Sequence, residues 1–159
     1  MKYRASVENF FDENNFFLFR IKELGKWRFF KYKSTFQIVD INDKILLEYQ
    51  FTRGLFNTSR KNFIINEQNL SENIEFLEKQ NSIELSVRNN IISIETKSKL
   101  MGFYEGKIQI NGNNFGVVKQ TGKFLNPINY NFEFSSKSPF EIYALILFAI
   151  ISTELNIGA

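Results

Sequence analysis

The stretch that most constrains this chain is an uninterrupted apolar run, Ile142-Tyr143-Ala144-Leu145-Ile146-Leu147-Phe148-Ala149-Ile150-Ile151. Ahead of it stand Ser138 and Pro139, with Glu141 close behind. A serine hydroxyl accepts from first-turn amides and proline suits the first helical position, so this is a helix start. Asn156 and Gly158 read as stop signals, and the pattern predicts a helix over about 139–154. The apolar run is ~15 Å long at 1.5 Å per residue. That is too short to cross a hydrocarbon core of ~30 Å. A helix apolar on every face has to be covered on every face. A sheet packed on one side cannot do this, whereas a closed barrel of more than eight strands has interior room for it.

The rest of the chain supplies short strands divided by turn signals. Phe16 to Arg20 is a compact apolar run after the turn-like Asp12-Glu13-Asn14-Asn15, and Trp27 to Tyr32 follows Gly25. Thr35 to Val39 leads through Asp40-Ile41-Asn42-Asp43 into Ile45 to Phe51. Ser82-Ile83-Glu84-Leu85-Ser86-Val87-Arg88 alternates polar and apolar, the period-2 pattern of a half-buried strand, and Asn89-Asn90 turns it back into Ile91 to Glu95. Asn111-Gly112 is the strongest hairpin signal in the chain, between Phe103–Ile110 and Phe115–Gln120. Tyr130-Asn131-Phe132-Glu133-Phe134 alternates again. Asn69 to Gln80 is open between a short helix capped by Ser71 and a strand through Ile74-Glu75-Phe76-Leu77. A shift of 70 residues lays Ile38…Gln50 on Ile108…Gln120, both hairpins, which raises a duplicated half-barrel as one reading.

These hairpins, above all Phe36 to Leu47 and Gly106 to Lys119, together with the apolar terminal helix, resemble the tubby C-terminal-like superfamily. That group comprises tubby domains, phospholipid scramblases and the LURP-one-related proteins. The resemblance covers roughly residues 16–155. It implies a mainly β fold, a barrel of about twelve antiparallel strands around a buried apolar C-terminal α-helix. It carries no catalytic motif. The Asp40-to-Asp43 turn is too short for a calcium loop of EF type. No acidic cluster matches a scramblase calcium segment, and the phosphoinositide-binding residues of tubby find no residue-by-residue match.

Composition narrows the chemistry. The 159 residues include no Cys and no His. That removes disulfides, thiolate chemistry, the commonest general base and the commonest metal ligand. No nucleophile motif and no Gly-rich phosphate loop is present. The expectation is therefore a non-enzymatic protein with no cofactor and no metal. Glu72, Glu75 and Glu78 recur at helical spacing and Asp40 and Asp43 flank a turn, but acid–base work needs carboxylates converging in a cleft. No linker-like segment divides the chain, so a single domain over 1–159 is expected. Met1-Lys2-Tyr3-Arg4 is not followed by an apolar run of signal length, which leads to the expectation of a cytoplasmic protein, peripheral at the membrane if it binds there.

The net charge is +3, unevenly spread: residues 1–61 hold 12 Lys and Arg against 7 Asp and Glu. This is short of the footprint of a nucleic-acid binder, and no nucleic acid is expected. The basic half does suit phosphates or an anionic membrane. The candidate lipid- or phosphate-binding residues are Arg20, Lys22, Lys26, Arg28, Lys31 and Lys33, interleaved with Trp27, Phe29, Phe30 and Tyr32. Alternation puts Lys31 and Lys33 on the face opposite Lys26 and Arg28 unless a bulge intervenes. The function expected is a binding or interaction module, reversibly associating with anionic phospholipid through this basic strand face. The alternative is a protein–protein regulator or immunity-type partner, and a third is a carrier of an apolar ligand in a pocket built from the 19 Phe. A helix inside the barrel argues against the carrier, because it fills the space a ligand would take.

Overall fold

The computed structural model describes residues 1–6, 8–28, 31–54, 61–79, 82–99, 103–121 and 128–155. Within these ranges the side chains of 26–28, 31–32, 53–54, 61–62, 97–99, 103–104 and 154–155 lie outside the description. Twelve strands precede one helix: β1 (Lys2–Ser6), β2 (Asn9–Asp12), β3 (Phe17–Arg28), β4 (Lys31–Val39), β5 (Ile45–Gly54), β6 (Lys61–Gln68), β7 (Ile74–Lys79), β8 (Ser82–Val87), β9 (Asn90–Lys99), β10 (Phe103–Ile110), β11 (Asn113–Thr121), β12 (Asn129–Phe134) and α1 (Glu141–Leu155). The described part of this ambiguous segment, residues 69–79, thus resolves as a turn followed by a strand, β7. Its Ile74, Phe76 alternation supplies the interior side, and Ser71 lies in the preceding turn.

All strands join one sheet in the order β6-β5-β4-β3-β2-β1-β12-β11-β10-β9-β8-β7, every described ladder antiparallel, and the sheet curls into a nearly closed barrel. Chain neighbours are sheet neighbours except β6 and β7, and one pairing joins strands far apart in the chain. β1 pairs with β12, Lys2 opposite Glu133 through Ser6 opposite Asn129. β6 and β7 form the two sheet edges with no ladder between them among the described residues. The hairpins related by the 70-residue shift are β4–β5 and β10–β11, which stand six strands apart in chain order.

Alternation sends one side of each strand inward. Phe10, Phe19, Ile38, Leu47, Tyr49, Phe51, Leu85, Ile92, Ile108, Val118 and Phe132 are all buried to within 1%. The helix fills what they surround: Tyr143 through Ile150 are at most 3% exposed. It is held from around the wall. Phe148 meets Phe10 of β2, Phe132 of β12 and Tyr130 with ring centroids 6.5, 4.9 and 4.8 Å apart. Tyr49 of β5 shares a hydrogen bond with Thr153, and Ser71 shares one with Tyr143. The helix start is a capping box, Ser138-Pro139-Phe140-Glu141. The Phe140 amide donates to the Ser138 hydroxyl, and the Ser138 amide donates to Glu141 Oε1 at 2.9 Å.

Two turn designs recur among the described hairpins. Asp12 and Asp40 open loops of one design. Each carboxylate accepts from the amides two and four residues on, Asn14 and Phe16 in the first, Asn42 and Lys44 in the second. The fourth residue of each loop is left-handed, Asn15 at φ 65 and Asp43 at φ 62. Asn and Asp tolerate that region through local hydrogen bonding. The β8–β9 and β10–β11 hairpins use two-residue turns with both residues left-handed, Arg88-Asn89 and Asn111-Gly112. Among the described residues no helix is long and apolar enough to cross a membrane.

Candidate functional site

The basic stretch lies on β3 and β4, and a bulge in β3 decides how it is arranged. Arg20 pairs with Val39 and Lys22 with Gln37. The register shifts between Glu23 and Gly25, so that Lys26 pairs with Ser34, Trp27 with Lys33 and Arg28 with Tyr32. Ser34, Phe36 and Ile38 are buried, which places the alternate positions Lys33 and Gln37 on the outer face. Lys33 is exposed there. Lys26, Arg28 and Lys31 lie outside the residues whose side chains are described.

Arg20 and Lys22 are on the same outer face and are brought together, but by a carboxylate. Both reach Asp43 Oδ1, at 2.5 Å and 2.8 Å. The Lys22 and then the Arg20 hydrogen bond hold the Asp43 carboxyl below its ordinary value. The turn that the sequence marks as a hairpin loop therefore folds back beside β3 and neutralises one of the two cations it meets. Of the six candidates, Lys33 alone is both described and without an ion pair.

A second basic group sits on the opposite wall, where β1, β12 and β11 run side by side. Register puts Arg4 opposite Asn131, and Asn131 opposite Lys119. One row along, Lys2 faces Glu133. The outward side chains of these rows, with the β2–β3 turn leaning over them, enclose a cleft of about 570 Å3. Lys2, Arg4, Lys119, Glu13, Asn131 and Glu133 line it. Arg4 donates to the neutral amide oxygen of Asn15, and Lys119 stands 4.0 Å from Glu105. Among the described residues Lys2, Glu13 and Glu133 make no ion pair, although Lys2 and Glu133 are directly cross-strand. Asp12, also in the cleft, spends its carboxylate on two turn amides.

Under the floor of this cleft Tyr3 donates to Glu141 Oε2, the oxygen that the capping box leaves free. Burial first, then the bond to Glu141 and its charge, push the Tyr3 hydroxyl well above the ordinary value of 10.0. It is a structural proton, not an acid poised near neutrality. No group of three or more metal-ligating side chains occurs among the described residues.

Sequence reasoning missed Lys2, Arg4 and Lys119. The alternation of Lys2 with Arg4, and of Asn131 with Glu133, is visible in the sequence. That β1 lies beside β12 is not. No protein-family model, no curated protein and no solved structure matches this chain.

Proposed function

We propose that this protein is a non-enzymatic binding module that associates reversibly with an anionic lipid surface through the outside of its barrel. The observation that carries the reading is the filled interior. With Tyr143 to Ile150 buried inside the wall, the volume a carrier would use for an apolar ligand is taken by protein, and recognition is left to the outer face. Lys33, the partly neutralised Arg20 and Lys22, and the β1–β12–β11 cations give that face its basic groups. Each Lys or Arg engaged near an anionic membrane contributes ~1 kcal/mol. Three or four together give ~3–4 kcal/mol, a dissociation constant near millimolar. Binding of that strength is reversible and salt-sensitive.

Flotation with phosphatidylglycerol vesicles tests this. Association is expected at low salt and lost as salt rises. Lys33→Glu, at the exposed outer-face position without an ion pair, should weaken it. Asp43→Asn should strengthen it, because Asn keeps the left-handed turn while freeing Arg20 and Lys22. No association at low salt refutes the lipid reading and favours a protein partner. That second reading has one observation of its own: Phe16 and Ile41, on neighbouring hairpin turns, are 68% and 72% exposed.

A further inference from the structure

We infer that the β1–β12–β11 cleft is a subsite for a phosphate ester that also carries a primary ammonium, the chemistry of a phosphoserine headgroup. The inference rests on the lipid reading only for the source of such a ligand. Adjacent strands lie ~4.8 Å apart, so Arg4 and Lys119, one on each side of Asn131, are separated by roughly 9.6 Å at their backbones. That spacing is too wide for either cation to be repelled strongly by the other. It is right for one tetrahedral anion seated over Asn131 and touched from both flanks, Arg4 as a planar fork and Lys119 as a point charge. The Asn131 amide adds a donor from below.

The cleft is not simply basic. Two positions along β12 from Asn131, about 6.8 Å away, stands Glu133, and Glu13 overhangs from the β2–β3 turn. Neither makes an ion pair among the described residues. An inorganic anion would gain nothing from these carboxylates and would be repelled by them. A ligand whose ammonium trails its phosphate by a short spacer places the ammonium against Glu133 while the phosphate lies between Arg4 and Lys119. Lys2, across from Glu133, is left for a second acidic group such as the serine carboxylate. Opposite charges that face one cavity without pairing with each other are arranged for a ligand carrying both signs.

The soluble probes are O-phosphoserine and inorganic phosphate, measured by calorimetry on the wild-type protein. O-phosphoserine is expected to bind the more tightly. Glu133→Gln should weaken O-phosphoserine about tenfold and leave phosphate unweakened, whereas Lys119→Gln should weaken both. Both positions are exposed, so the variants are expected to fold, and thermal melts check this. Equal affinity for the two probes, or wild-type binding of O-phosphoserine by Glu133→Gln, overturns the inference. Vesicles identify the source. Phosphatidylserine should bind better than phosphatidylglycerol at equal charge. Equal vesicle binding overturns the headgroup subsite and leaves the lipid-surface reading standing. O-phosphoserine binding without vesicle association keeps the subsite, makes a free phosphate ester its ligand and removes the lipid-surface reading.

Discussion

The Glu141 carboxylate serves two donors, the Ser138 amide and the Tyr3 hydroxyl, and is itself 4% exposed. It caps the helix and ties it to β1, so Glu141→Ala leaves two partly buried donors without their acceptor. A loss of ~1–3 kcal/mol is expected in urea unfolding; a change within error would mean that water replaces the carboxylate at no cost. Tyr3 and Tyr49 give a pH dependence. Burial is the first cause in both, and each hydroxyl is held above the ordinary 10.0, though the Thr153 bond pulls Tyr49 the other way. Above pH ~10 the unfolded tyrosines ionise while the folded ones keep their protons, so the folded state binds more protons. Stability is therefore fully present below that pH and falls as pH rises through it. Urea midpoints should be flat from about pH 7 to 9 and decline beyond about 10. A Tyr3→Phe, Tyr49→Phe variant, weaker at neutral pH for lack of two hydrogen bonds, should show a shallower decline, the remainder coming from Tyr130, which burial also raises. If the decline is as steep in the variant as in the wild type, these two groups are not its source.

At the scale of the elements, α1 is the piece most fully legible in the sequence. Its cap, its first-turn Pro139 and its all-round apolarity together demanded a surrounding wall, and the wall is there. Replacing Leu145 or Phe148 by Ala should lower stability by ~2–5 kcal/mol in chemical denaturation, the range for large-to-small core changes. A near-neutral Phe148→Ala would mean that the three rings around it close the cavity unaided. Strand β11 makes a narrower demand at Gly116, where an added Cβ would meet the Glu133 carbonyl oxygen at 2.8 Å and Phe134 Cδ1 at 2.9 Å. Gly116→Ala should destabilise by ~1–3 kcal/mol through the shift it forces, read as faster amide exchange along β11–β12. The candidate basic face was only partly legible, because alternation cannot report a bulge. The register shift at Glu23 and Gly25 re-phases the end of β3, and the fold-back of Asp43 onto Arg20 and Lys22 depends on how a turn leans once formed. The strand β7 was ambiguous for a related reason: Glu72, Glu75 and Glu78 mimic helical spacing while Ile74 and Phe76 keep strand alternation.

For the molecule as a whole, the β6–β7 seam is the weak line of the wall. Side chains do there what a ladder does elsewhere: the Phe63 amide donates to Glu78 Oε1 at 2.6 Å and the Ile74 amide to Gln68 Oε1 at 3.0 Å. Phe63 and Phe76 approach across it with centroids 6.2 Å apart. Glu78→Ala with Gln68→Ala should speed hydrogen exchange at Phe63 and Ile74 and leave β3–β4 unchanged; protection unaltered by the double substitution would show a seam held by something else. Closure of the barrel instead falls to β1 and β12, with Lys2 opposite Glu133, and this sets a timetable. At ~5–20 residues per second, synthesis needs roughly 6–25 s to bring β12 within reach of β1. For that interval Phe10, Phe19 and Phe51 have no helix to rest on, and the growing sheet shows neighbouring chains the apolar face that the finished molecule hides. Contacts so distant in sequence also slow spontaneous refolding. A nascent chain of this topology is therefore a natural client for a holdase at the ribosome exit, and its yield on overexpression will track the supply of that help more closely than the stability of the native barrel.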